Sequence, residues 1–137
     1  MMKATELMVG NIVEIDGKPQ RIRSVTRRKV AYCRLNSPNQ SYARIHDIAP
    51  IPITEELLVK NGFDKDENWF FIKIGNAKLC IVNLLGIRES LETPLWRIIL
   101  EGVMFSPFLN KATLETSELH RLQNLLNIMD IKLDFIV

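Results

Sequence analysis

The residues of this chain best suited to binding or chemistry form a basic run between positions 18 and 34. The run has no acidic residue and consists of Lys18, Arg21, Arg23, Arg27, Arg28, Lys29 and Arg34. A protruding basic loop can follow a phosphate backbone, because each neutralised phosphate releases counterions. We therefore predict that all of these residues except Lys18 contact nucleic acid or an acidic protein. The alternative is a solvated surface, since charge runs usually face water.

The two tyrosines near this run have the side chains that a nucleic acid site also uses. Tyr32 or Tyr42 would offer an aromatic ring on which a base can stack. The sequence pattern does not distinguish between the two, and both remain candidates.

The two histidines have different neighbours. His46 precedes Asp47, but adjacent residues of a strand point to opposite faces, so no acid–base pair is predicted there. His120 lies on a predicted helix beside an apolar stripe, and Gln123 and Asn124 follow it by three and four positions. Residues at these spacings share a helix face. We predict that the three form a polar cluster able to bind a ligand or partner, with a hydrated helix flank as the alternative.

Neither a metal site nor a catalytic motif is predicted. The candidate zinc ligands Cys33, His46, Cys80 and His120 include no pair separated by two to five residues, as structural zinc sites usually require. Phosphate-binding glycine loops and the nucleophile elbow of serine hydrolases do not occur in the sequence. The chain is therefore expected to be non-enzymatic and to need no cofactor.

The charge of the 137 residues is unevenly distributed. The formal net charge is +2, with 47% hydrophobic and 25% charged residues, which excludes a disordered tail and a histone-like polycation. Residues 1–50 contain nine basic and four acidic side chains, whereas residues 51–137 contain nine basic and twelve acidic ones. The near-neutral total therefore conceals a basic first part and an acidic second part.

Residues 1–52 are predicted to form a small SH3-like β-barrel. Strands are expected at 12–15, 20–26, 28–35 and 41–48, with a hairpin at Asp16-Gly17 and a turn at 36–39. Several short strands joined by tight turns are typical of a small barrel. Pro50 and Pro52 interrupt strand pairing and mark the expected boundary with a second part.

Residues 53–137 are predicted to form an α+β unit with a mainly antiparallel sheet. A helix over 54–62 is capped by Thr54. Hairpins are expected at 68–74 with 77–84 and at 95–100 with 103–108, the latter turning at Glu101-Gly102. A second helix begins after Thr116 or Ser117, with its apolar residues on one face. The alternation in residues 131–137 predicts a final strand.

Three segments carry a resemblance to a known family. Residues 7–13, Leu-Met-Val-Gly-Asn-Ile-Val, are similar to the opening strand of small SH3-like barrels. Residues 48–58, Ile-Ala-Pro-Ile-Pro-Ile-Thr-Glu-Glu-Leu-Leu, and residues 119–125, Leu-His-Arg-Leu-Gln-Asn-Leu, are more particular. Together they resemble a family of small bacterial proteins with no assigned activity, often associated with phage or other mobile elements. The resemblance spans nearly the whole chain and implies an architecture and a genomic context, without a reaction.

These observations favour an accessory binding protein whose basic hairpin contacts nucleic acid or an acidic partner. The alternative is a protein-interaction or self-association module, a homo-oligomer for example, that uses the apolar strands between residues 69 and 108. No apolar run approaches the roughly 20 residues that a membrane helix needs. A cytoplasmic location without a membrane partner is therefore expected.

Overall fold

The computed structural model describes residues 2–35, 39–85, 87–88, 91–106 and 109–137. The chain divides into two compact units. Unit 1 consists of Met1–Pro52 and Glu118–Leu125, and unit 2 consists of Ile53–Ser117 and Leu126–Val137. The sequence analysis assigned all of residues 53–137 to the second part, whereas the structure places Glu118–Leu125 with the first.

Unit 1 contains a five-stranded antiparallel sheet, ordered β4-β3-β2-β1-β5. Its strands are β1 (Ile12–Ile15), β2 (Lys18–Val25), β3 (Lys29–Arg34), β4 (Gln40–Arg44) and β5 (Ile48–Ala49). Short 3-10 turns occupy Ala4–Glu6 and Ile45–Asp47. The predicted hairpin at Asp16-Gly17 is confirmed, since both residues have positive φ and Ile15 pairs with Lys18.

One face of this sheet carries the core of unit 1. Val13, Ile15, Ile22 and Val30 are buried there with Met2, Leu7 and Ile48. Among the described residues the sheet is open, because β4 pairs only with β3 and β5 only with β1. The small barrel predicted for residues 1–52 is therefore not closed within the described residues. The predicted turn at 36–39 falls largely outside the described residues.

Unit 2 contains a second five-stranded antiparallel sheet, ordered β10-β9-β8-β7-β6. Its strands are β6 (Asp64–Asp66), β7 (Trp69–Ile74), β8 (Ala77–Asn83), β9 (Trp96–Ser106) and β10 (Leu109–Thr116). The predicted hairpin around Gly75-Asn76 is confirmed by the β7–β8 pairing. Phe70 and Trp96 pack edge to face in its core, with ring centroids 5.7 Å apart.

The predicted turn at Glu101-Gly102 is wrong. Strand β9 runs through both residues, and the register of the β9–β10 pair shifts between Leu109 and Lys111, beside Glu101. Strand β9 ends at Ser106, and β10 begins at Leu109 and pairs with it in the antiparallel direction. A glycine inside a strand marks a bulge or a close backbone approach as well as a turn, and the sequence pattern does not separate these cases.

Two helices complete the chain. Helix α1 (Glu55–Lys60) is capped as predicted, since the Thr54 hydroxyl accepts a hydrogen bond from the Leu57 N–H at 3.1 Å. Helix α2 (Leu119–Ile128) buries Leu119, Leu122 and Leu126, which confirms the predicted apolar face. Neither of these helices in the described parts of the chain has the length and apolarity needed to cross a membrane.

The final strand predicted for residues 131–137 is absent from the structure. Instead the Asn61 side chain holds this segment, donating to the Ile136 carbonyl at 2.8 Å and accepting from the Ile136 N–H at 2.6 Å. Alternation of apolar residues reports which side chains turn inward, and Phe135 is indeed buried. Alternation does not supply a neighbouring strand, so the segment remains unpaired. In its described residues the chain is thus mixed α and β, with two antiparallel sheets and two helices.

Candidate functional site

The predicted basic residues of unit 1 lie on two faces of its sheet. Arg21 is paired with Cys33 across β2 and β3, and Lys29 is on the same face as Cys33 by strand alternation. Arg23 reaches this face from a β-bulge, where its Nε donates to the Cys33 sulfur at 3.0 Å. Arg34 follows Cys33 and therefore points to the other face.

The structure adds Arg44 and Tyr42 to the face that carries Lys29. Both are on β4, directly opposite Lys29 and Ala31 of β3. Arg27 and Arg28 are exposed in the turn between β2 and β3. We call this set the basic face and define it as Arg21, Arg23, Arg27, Arg28, Lys29, Tyr42 and Arg44.

Lys29 and Arg44 are a like-charged pair at directly opposed positions of two neighbouring strands. Like charges in this arrangement are destabilising. Among the described residues, no salt bridge involves either side chain, and the same holds for Arg27 and Arg28. The repulsion is therefore not relieved by a salt bridge within the part of the chain that the structure describes.

The turn that presents these cations is held in place by its own hydrogen bonds. The Thr26 N–H and hydroxyl both donate to the Lys29 carbonyl, at 2.9 Å each, and the hydroxyl accepts from the Lys29 N–H at 3.2 Å. At the other end of β2, Arg21 donates to the Gly10 carbonyl at 3.2 Å. The basic face is thus presented by an ordered hairpin.

Tyr42 is the tyrosine that remains accessible. Its side chain is 62% exposed, and the Lys29 ammonium lies 5.0 Å from the centre of its ring. Tyr32, by contrast, packs against the core of unit 1. Of the two candidates from the sequence, Tyr42 is the one whose exposed ring lies on the face that carries Lys29 and Arg44.

Arg34 contributes to a different feature of unit 1. It lines a groove of about 420 Å³ with Lys18, Tyr32 and Ser41. Gln20 also lines the groove, and its buried side-chain oxygen has no hydrogen-bond partner among the described residues. Arg34 is therefore separated from the other predicted contacts, because it faces the opposite side of the sheet.

The side chains of Gln123 and Asn124 form hydrogen bonds with other residues of unit 1. The Gln123 side-chain oxygen accepts from the Ile12 N–H at 2.8 Å. The Asn124 side chain accepts from Asn11 Nδ2 at 2.8 Å and donates to the Glu6 carbonyl at 2.7 Å. These bonds attach the first turns of α2 to the segment that leads into β1. A hydrated helix flank does not describe these two side chains.

His120 is fully buried, and it is surrounded by charged side chains of unit 1. Its Nε2 lies 3.4 Å from Glu118 Oε2 and 3.7 Å from Glu6 Oε2. Arg121 contacts both carboxylates, at 3.4 Å from Glu6 and 3.5 Å from Glu118. Both ring nitrogens of His120 lack a hydrogen-bond partner among the described residues. Burial lowers the pKa of His120, while the two carboxylates act in the opposite direction.

The backbone explains why these groups meet. The N–H of Leu119 donates to the Ile51 carbonyl at 2.8 Å, and Glu118 forms an isolated bridge with Pro52. The start of α2 is thereby fixed next to the residues that end the first segment of unit 1. The carbonyl of Glu6 is held by Asn124 on the same helix. Glu6 is far from His120 in sequence, so no spacing rule would have connected them.

His46 and Asp47 contact each other, because the backbone bends at this point instead of continuing as a strand. They lie in the 3-10 turn after β4, with His46 Nε2 3.4 Å from Asp47 Oδ1. The predicted strand over 41–48 ends at Arg44, and the turn brings the two side chains together. Both are more than half exposed, so the contact is a surface pair.

Comparison with known proteins gives this chain no family and no structural neighbour. The chain matches no family model, no curated protein and no solved structure.

Proposed function

We propose that unit 1 binds single-stranded nucleic acid through the basic face. The observation that carries this proposal is the directly opposed pair Lys29 and Arg44, neither of which forms a salt bridge among the described residues. A phosphate placed between the two cations would relieve their repulsion and release counterions. Arg27 and Arg28 extend the positive potential along the turn, where further phosphates would lie.

Tyr42 favours nucleic acid over an acidic protein as the partner. Lys29 lies over one face of this exposed ring, so a base stacked on the other face would bring its phosphate near the ammonium. An acidic peptide would use the cations but has no need of the ring. Accessible bases are a property of single strands, since bases of a duplex are already stacked on one another.

The first experiment is a titration of a labelled single-stranded oligonucleotide by fluorescence anisotropy over a series of salt concentrations. Contacts with four to six phosphates give a plot of log K against log salt with a slope of about −3 to −4 for a single strand. A slope near zero would contradict phosphate contact. Polyglutamate serves as the competitor that represents an acidic protein.

Variants then test the residues. The triple variant Arg27→Glu, Arg28→Glu and Lys29→Glu is expected to abolish binding. Tyr42→Ala is expected to weaken binding by about five- to a hundredfold, the range for loss of one stacked base. Lys3→Glu is the control, because Lys3 is an exposed cation of unit 1 outside the basic face. If polyglutamate competes as well as an oligonucleotide of equal charge, and Tyr42→Ala binds normally, the partner is an acidic protein and the proposal is wrong.

The sheet of unit 1 also bears on its relation to a known fold class. We propose that unit 1 is related to SH3-like barrels, supported by five short strands in which β5 returns to pair with β1. An experimental structure in which β5 pairs elsewhere would contradict this relation. The bacterial, mobile-element context remains a prediction.

Self-association through residues 69–108 remains a prediction as well. Phe70 and Trp96 are buried in unit 2, whereas Trp69 is 45% exposed. The side chains of residues 103–108 lie outside the described residues. Sedimentation of each variant used above will show whether a change in binding accompanies a change in oligomeric state.

A further inference from the structure

The surroundings of His120 have no part in the proposed binding of nucleic acid. Its ring is fully buried, and neither nitrogen has a hydrogen-bond partner in the described part of the chain. Buried polar groups in proteins are nearly always satisfied, and each exception calls for an explanation such as a missing ion. Because Nε2 lies 3.4 Å and 3.7 Å from two carboxylate oxygens, a cation shared by all three groups is the explanation that the geometry suggests for this nitrogen.

The spacing of the three groups fits a small divalent metal. Bonds of about 2.0 to 2.1 Å in a tetrahedral zinc site place neighbouring ligand atoms about 3.3 to 3.4 Å apart. His120 Nε2 is 3.4 Å from Glu118 Oε2 and 3.7 Å from Glu6 Oε2, and the three ligand atoms lie within 4.8 Å of one another. Only small side-chain shifts would be needed to reach coordinating distances.

Arg121 is compatible with such a site. It contacts Glu6 through Oε1, whereas the Glu6 oxygen closest to His120 is Oε2. A carboxylate that binds a metal through one oxygen often accepts a hydrogen bond from a neighbouring group, which fixes its orientation. Glu118 differs, because its Oε2 is both the oxygen nearest His120 and the one that lies 3.5 Å from Arg121 Nε, so a metal and the guanidinium would share this oxygen.

An opening next to the three groups leaves room for a further ligand. A pocket of about 330 Å³ is lined by Glu6, Glu118 and Arg121 together with Met2, Ile48 and Pro50. Metal sites with three protein ligands and one open position are characteristic of sites that bind water or substrate, whereas structural zinc sites have four protein ligands. The Arg121 guanidinium in the pocket wall would favour an anionic ligand at the open position.

We propose that Glu6, Glu118 and His120 form a binding site for one divalent transition metal ion, of which Zn²⁺ is the best fit. The ligand spacings typical of cysteine and histidine zinc sites give no indication of the two glutamates. The fold supplies them, because Asn124 holds the backbone of Glu6 against the start of α2.

The test is a calorimetric titration of the chelator-treated full-length protein with Zn²⁺. We expect one ion per chain, and we expect Glu6→Gln and Glu118→Gln each to weaken binding by about tenfold or more. Co²⁺ provides a second readout, since four-coordinate Co²⁺ absorbs visible light much more strongly than the six-coordinate aqueous ion. Both glutamates are partly exposed and their glutamine variants keep the side-chain shape, so the folded state of each variant can be verified by its thermal unfolding.

Two control variants separate this site from adventitious binding. Glu14→Gln removes an exposed carboxylate of β1, and His46→Asn removes the exposed histidine that contacts Asp47. Both should bind Zn²⁺ within about twofold of the original protein. The proposal is overturned if the original protein binds no stoichiometric Zn²⁺, if either glutamine variant binds normally, or if His46→Asn abolishes binding. Failure of this test leaves the nucleic acid proposal intact, because the two use different residues.

Discussion

The amide side chain of Gln123 illustrates how a buried polar residue can specify structure in unit 1. It is the acceptor for the N–H of Ile12, the first residue of β1. Ile12 itself is fully buried, so water cannot replace this bond. A leucine at position 123 would fill a similar volume and leave the Ile12 N–H without a partner.

We therefore predict that Gln123→Leu lowers the free energy of unfolding by about 1 to 3 kcal/mol, the cost of a buried unsatisfied donor. Urea unfolding followed by circular dichroism measures this change. Gln40→Leu is the matched control, because Gln40 is exposed on β4 and exposed substitutions usually change stability by less than about 0.5 kcal/mol. Equal effects of the two substitutions would argue against a specific role for the Gln123 bond.

Glu115 offers a pH-dependent test in unit 2. Hydrogen bonds from Arg88, the larger influence, and from Arg97 lower the pKa of Glu115 below its ordinary value. A carboxyl group with a lowered pKa in the folded state stabilises that state above the unfolded-state pKa. This contribution is lost as pH falls through the folded-state value.

We accordingly predict that Glu115→Gln is less stable than the original protein at neutral pH and that the two converge as pH falls through the lowered pKa of Glu115. The midpoint of urea unfolding at a series of pH values provides the measurement. In a background with Arg88→Gln and Arg97→Gln, the same substitution should have little effect at any of these pH values. If the stability difference between the original protein and Glu115→Gln increases as pH falls, the pKa of Glu115 is raised instead.

At the scale of the elements, Gly102 was predicted to lie in a turn, but it lies inside strand β9, where only a residue without a side chain fits. Its φ is +85°, and a Cβ at this position would lie 2.5 Å from the Asn76 carbonyl oxygen. Gly17 also has positive φ, at +75°, but has no atom within 4 Å of such a Cβ. The two glycines thus differ in the space around them rather than in backbone conformation.

The resulting prediction is that Gly102→Ala destabilises the protein by clearly more than Gly17→Ala. The left-handed conformation alone costs about 1 to 2 kcal/mol for a residue with a Cβ. At position 102 the backbone of Asn76 must also move, which disturbs the β7–β8 turn. Thermal unfolding of both variants gives the comparison. An equal loss of stability would mean that the close approach of the Asn76 backbone to Gly102 does not affect stability.

Elements with local causes were predictable from the sequence, and those with distant causes were not. Asp16-Gly17 and Thr54 act on neighbouring backbone, so their hairpin and helix cap followed from the residues alone. The continuation of β9 through Gly102 depends on pairing with β8 and β10. The unpaired segment 131–137 depends on Asn61, which lies far away in the sequence. Local patterns carry no information about either contact.

The same distinction applies to the candidate sites. Most residues of the basic face were predictable because they are clustered in sequence, whereas Arg44 joins them only through the β3–β4 register. Burial of His120 was not predictable, because helical periodicity placed it beside the apolar stripe rather than on it. Glu6 joins His120 through the tertiary fold of unit 1.

At the scale of the whole molecule, the formal net charge of +2 gives little indication of affinity for a polyanion. Exposed charges separated by more than about 8 Å are largely screened at physiological salt. Contact between phosphates and particular cations should therefore matter more than the total. Variants that have the same total charge, but carry their charge substitutions at different positions, separate the two effects.

We predict that Lys29→Glu with Arg44→Glu weakens oligonucleotide binding by tenfold or more. Lys73→Glu with Lys132→Glu, on exposed residues of unit 2, should leave it within about threefold. Each double variant exchanges two positive charges for two negative ones, so both have a formal net charge of −2. The first variant replaces the opposed cations of the basic face with opposed carboxylates, which repel a phosphate at contact distance. Anisotropy titrations at 0.15 M salt make the comparison, since this concentration gives the screening length assumed here. Equal losses in the two variants would show that the total charge governs binding and would remove the basic face as its site.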